Sequence, residues 1–98
     1  MNNLNMIKEI IFKEGYLSSE DFLQDWSVIL ALSKAEQYRA EMDFFAHKYG
    51  MDFASFAAQV HGEKGQEHFE KEDDLDDWEF AVRAAIWWEE KIRQIRHA

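Results

Sequence analysis

The chain has 98 residues, enough for one core, since typical domains run roughly 100–150 residues. Its composition, 47% apolar and 32% charged, is that of a globular chain rather than a disordered one. The lack of Cys excludes disulfides, thiolate zinc, iron–sulfur clusters and a cysteine nucleophile, and a net charge of −9 argues against direct nucleic-acid binding.

With no Pro and only four Gly, the chain lacks the frequent turns of a strand fold. It is expected to be all-α, a single helical domain over residues 1–98. Two long antiparallel helices would be joined by a short corner helix, with an N-terminal helix or arm. The longest apolar runs, residues 28–32 and 84–88, fall far below the roughly 20 residues needed to span a bilayer. No charged n-region and long apolar stretch marks a targeting signal at the start. A cytoplasmic protein with no membrane partner is expected.

Leu4, Ile7, Ile10 and Ile11 recur at helical steps, and Gly15 stands where a helix would stop. The run Ile10-Ile11-Phe12 also suits a strand, so residues 4–14 admit both readings, with helix favoured. Ser18-Ser19-Glu20-Asp21 is a helix start, with a hydroxyl to accept from an early N–H and two acids at the positive helix end. From there Val28, Leu32, Ala35, Tyr38, Met42, Phe45 and Tyr49 form one apolar stripe, stepping by three and four residues. Phe22, Trp26 and Ile29 extend it upstream.

Gly50 suits the left-handed position that ends a helix, and Asp52 suits the cap of the next. Met51 and Phe56 then occupy the positions of a hydrophobic staple. The short helix carries Phe53, Phe56, Ala57 and Val60, and is expected to end at Gly62. Residues 63–72 read as a charged loop with Phe69 as its one apolar anchor. The last helix is expected to start near Asp73 or Asp74. Its seam is Leu75, Trp78, Val82, Ala85, Trp88, Ile92 and Ile95, with acids at its start and Lys91, Arg93 and Arg96 at its end.

Catalytic motifs are missing. The five serines stand in no Gly-x-Ser-x-Gly elbow, and Gly62-Glu63-Lys64-Gly65 is too short for a phosphate loop. His47, His61, His68 and His97 have no zinc-ligand spacing. No enzyme activity, cofactor or metal is therefore expected. The acid run Glu70, Glu72, Asp73, Asp74, Asp76, Asp77 and Glu79 admits three readings. It is a solvated helix start, a docking surface for a basic protein, or a weak magnesium site at Asp73 and Asp77. Phe80, Ala84 and Trp87 make a second stripe on the last helix, and Phe44 lies off the seam of the long one. These aromatics are either covered within the monomer or bind a partner, a basic protein or a second copy.

The segment Glu41-Met42-Asp43-Phe44-Phe45-Ala46-His47-Lys48-Tyr49-Gly50-Met51-Asp52-Phe53-Ala54-Ser55-Phe56 resembles small helical antitoxins of bacterial type II toxin–antitoxin modules. In these a long helix ends in a Phe-x-x-Lys-Tyr-Gly-Met corner before a short helix with a Phe. Asp76-Asp77-Trp78-Glu79 is similar to the acidic stretch and Trp-containing helix of their second half, so the likeness spans residues 35–96. The resemblance implies an inhibitor that neutralises a small basic toxin, often an RNase. The expected partner-binding residues are Phe44, Glu70, Glu72, Asp73, Asp74, Asp76, Asp77, Glu79, Phe80 and Trp87. The chain departs from many antitoxins in lacking a basic recognition helix or ribbon. The alternatives are a structural helical homo-oligomer and an acidic nucleic-acid mimic that inhibits a nuclease.

Overall fold

The computed structural model describes residues 3–63 and 69–96. Among them it contains four helices and no strand: α1 (Asn3–Lys13), α2 (Ser19–Tyr49), α3 (Phe53–Gly62) and α4 (Phe69–Arg96). Residues 64–68 and 97–98 lie outside the described residues, and with them the sequence expectations for Lys64, Gly65, His68 and His97.

Local signals account for nearly every boundary. α1 resolves the first segment as helix and ends in a Schellman motif. Gly15, at φ 94°, donates its N–H to the Phe12 carbonyl, and Tyr16 donates to that of Ile11. Ser18 caps α2 by accepting from the Asp21 N–H at 3.1 Å. Gly50 closes α2 at φ 66° and donates to Ala46 at 2.8 Å. Asp52 caps α3 by accepting from the Ser55 N–H at 2.8 Å, which holds its carboxyl below the usual range.

The fourth boundary corrects the sequence reading. α4 begins at Phe69, within the segment expected to be loop, and Phe69 is 68% exposed rather than an anchor. Acidic residues suit both a solvated loop and a helix's first turns, so the charge run could not mark the start.

α4 packs antiparallel against the C-terminal part of α2. The end of α2 meets the start of α4 through Lys48 and Asp74, and Arg39 meets Glu89 further along. The aromatic core sits at the corner. Trp78 of α4 lies among Phe45, Phe53 and Phe56 at ring distances of 5.8, 5.6 and 5.4 Å. Met42, Met51, Leu75 and Val82 close around that cluster, with Met51 where the staple predicts. Farther along, the contact narrows to the buried alanines Ala31, Ala35, Ala81 and Ala85. The α2 seam is thus shifted at one point: Ala31 is buried while Leu32 is exposed. Adjacent helical positions lie about 100° apart, and the side on which α4 lies decides which is covered. Trp26 and Ile29 also stay exposed rather than joining the seam, because α4 does not cover that side of α2.

A candidate protein-binding face between α2 and α4

The sequence-predicted site residues do not form one surface. Seven acids on a helix of about 3.6 residues per turn must spread around it, and here they divide into three groups.

The first group is structural. The Asp74 carboxylate accepts from Lys48 Nζ at 2.6 Å and from the Tyr49 hydroxyl, and Lys48 also binds Glu70 at 2.9 Å. This knot ties the end of α2 to the start of α4 next to the core. Burial pushes the Asp74 carboxyl up, but the bonds from Lys48 and Tyr49 outweigh it and hold the group below the usual carboxylate range. The Lys48 ammonium is raised by its bonds to Asp74 and Glu70. The Tyr49 phenol is raised by burial and by its bond to Asp74. Asp74 is therefore engaged within the fold, its side chain 15% exposed, whereas Glu70 pairs with Lys48 while staying 78% exposed.

The second group, Glu72 and Glu79, lies on the flank of α4. Glu79 accepts from Arg83 at 2.8 Å one turn on. The third group is Asp73, Asp76 and Asp77. These share a side of α4 with Phe80, Ala84 and Trp87, and all three are exposed with no ion pair among the described residues.

That side of α4 borders α2 in two adjoining depressions. The first, about 490 Å³, is lined chiefly by Tyr38, Glu41, Phe44, Asp77 and Phe80. The second, about 370 Å³, is lined by Tyr38, Phe80, Arg83, Ala84, Trp87 and Trp88. Tyr38 and Phe80 belong to both, and their rings meet edge-on at 5.8 Å. Phe44, Phe80 and Trp87, predicted separately from the sequence, are thus gathered into one aromatic groove. They are 61%, 62% and 52% exposed.

Each aromatic is displayed for a local reason. Phe44 neighbours the buried Phe45 and lies a third of a turn off the seam, its ring 5.3 Å from that of Phe45. Trp87 stands edge-on to Trp88 at 4.8 Å, and both indoles line the second depression. The charge around the groove is graded. Glu41 and Asp77 flank its Phe44 end, whereas Arg83 lines the Trp87 end and Lys91 Nζ lies 5.1 Å from the Trp87 ring centre.

Sequence reasoning missed Tyr38 and Glu41 as lining residues. Tyr38 was read as seam, and it is half-buried at the groove's floor. It also missed the Lys48–Asp74–Tyr49 knot, because no local spacing signals a bond between residues so far apart in the chain. Among the described residues no cluster of His, Asp and Glu converges to hold a metal ion, and no helix is long and apolar enough to cross a membrane. No family model, curated protein or solved structure matches the chain.

Proposed function

We propose that this chain is a non-catalytic binding protein of the antitoxin kind, which captures and blocks a small basic protein through the groove between α2 and α4. One observation carries the proposal: Phe44, Phe80 and Trp87, all more than half exposed, line a continuous groove with free carboxylates beside it. Large aromatics on a surface are binding anchors, each worth ~2 kcal/mol or more when truncated. Asp73, Asp76 and Asp77 would attract a cationic partner and speed its encounter, and the aromatics would then be buried. The resemblance of residues 35–96 to small helical antitoxins supports the same role and points to an RNase-like toxin as the partner. The protein's place would then be the cytoplasm.

The test is affinity capture from native lysate at low and high salt, with the captured protein then titrated against this chain in an assay of its own activity. A small basic protein should be retained at low salt and inhibited. Trp87→Ala should weaken its capture by about 30-fold or more while the chain stays helical. Neutralising Asp73, Asp76 and Asp77 together should slow association at low salt and change little at high salt. Recovery of no basic protein, or capture indifferent to both sets of substitutions, refutes the proposal.

A further inference from the structure

α1 and the N-terminal half of α2 form a limb that α4 leaves largely bare. The chain exposes 7576 Å², whereas a compact monomer of 11.7 kDa exposes roughly 5,900 Å². The excess, roughly 1,700 Å², exceeds the ~800 Å² that one partner contributes to a standard stable interface. The radius of gyration is 20.0 Å, against ~13 Å for a compact domain of about 100 residues.

The exposed apolar side chains of the limb are organised. Leu23, Trp26 and Leu30 step by three and four residues on the side of α2 turned away from Ala31 and Ala35, which pack on α4. With Ile29 beside them, they are 49–60% exposed. On α1, Leu4, Ile7, Ile10 and Ile11 share one apolar face, yet only Ile11 is buried and the other three are about half exposed.

Charge selects the occupant. At −9 per chain, two copies repel over most of their surfaces. Yet positions 19, 22, 23, 26, 29, 30 and 33 follow one face of α2, the first three beside α1, and none of them is charged. In a twofold contact, residues near the axis meet their own copies, so a charge there repels itself. A charge-free apolar stripe meets that requirement, and a basic partner would find no carboxylate on it.

We propose that a second copy of this chain covers the stripe, forming a twofold dimer in which the N-terminal halves of the two α2 helices cross near Trp26, flanked by both α1 helices. The stripe's apolar centre at Leu23, Trp26 and Leu30 lies outside the lining of the groove between α2 and α4, which begins about two turns further on at Gln37. The proposal stands whether or not the groove binds a basic protein.

Sedimentation equilibrium of the intact chain is the test. It should give a particle of twice the 11.7 kDa chain mass, and the thermal midpoint should rise with protein concentration. Added salt should tighten the dimer by screening the like charges, opposite to its effect on capture of a basic protein. Trp26→Glu and, separately, Leu30→Glu should give helical monomers, whereas Trp87→Ala should remain dimeric. These are exposed helix positions, and circular dichroism checks that each variant stays folded. A wild-type chain that is monomeric at about 100 μM, far above the dissociation constant of a stable dimer, overturns the proposal. So does an assembly of any other size, or a dimer broken by Trp87→Ala but not by the two stripe substitutions.

Discussion

Truncating Trp78 and truncating Trp87 are expected to have opposite consequences, although both residues lie on α4. Trp78 is 2% exposed and touches three Phe rings at 5.4–5.8 Å, so Trp78→Ala removes the centre of the corner core. Such truncations cost ~3–5 kcal/mol, against a total stability of roughly 5–15 kcal/mol for a domain of this size. With a urea slope of about 1.5 kcal/mol per M, the unfolding midpoint should fall by roughly 2–3 M. Trp87 is 52% exposed and contacts Trp88 and Lys91 at the groove's edge. Trp87→Ala should cost no more than about 1 kcal/mol, because much of the ring is already in water. Urea unfolding followed by far-ultraviolet circular dichroism, at one fixed protein concentration, reads both variants without relying on tryptophan fluorescence. Equal losses for the two substitutions would refute the assignment of Trp78 to the core and Trp87 to a free surface.

The remaining predictions concern the corner. Gly50→Ala should lower stability by about 1 kcal/mol and Gly50→Asn by less. At φ 66° with open space around the α-carbon, only backbone conformation opposes a side chain there; thermal melts give the comparison. Asp52→Ala should lower the melting temperature and Asp52→Asn should largely restore it, since either oxygen-bearing side chain accepts from the Ser55 N–H. The Asp74 carboxyl is held below its ordinary value of 3.8, so its contribution is fully present above that value and is lost as pH falls through the lower folded value. Stability measured from about pH 5 to about pH 2 should therefore decline less steeply in Asp74→Asn than in the wild type, and parallel declines would sink the proposed role of the knot.

What the sequence determined by itself is local. Ser18, Gly50 and Asp52 set helix ends through bonds to residues within a turn, and the structure places the α2 and α3 boundaries where these residues predict. The three- and four-residue spacing identified Phe45 and Trp78 as inward-facing, since periodicity is a property of the helix itself. It also separated Phe44, Phe80 and Trp87 from the seams.

Tertiary structure decided what each exposed face meets. The acid run looked uniform because its members are close in sequence, yet helical rotation sends Asp74 to Lys48 and leaves Asp73, Asp76 and Asp77 in solvent. Only packing could bring Phe44 of α2 beside Phe80 of α4, since a groove between helices depends on their mutual placement. The same holds for Trp26. Its spacing fits the α2 seam, but it stands on the side that α4 does not cover, so its burial depends on a surface beyond this chain's own core. Periodicity specifies that a helix has an apolar face; the lengths and directions of its neighbours specify which part of that face remains bare.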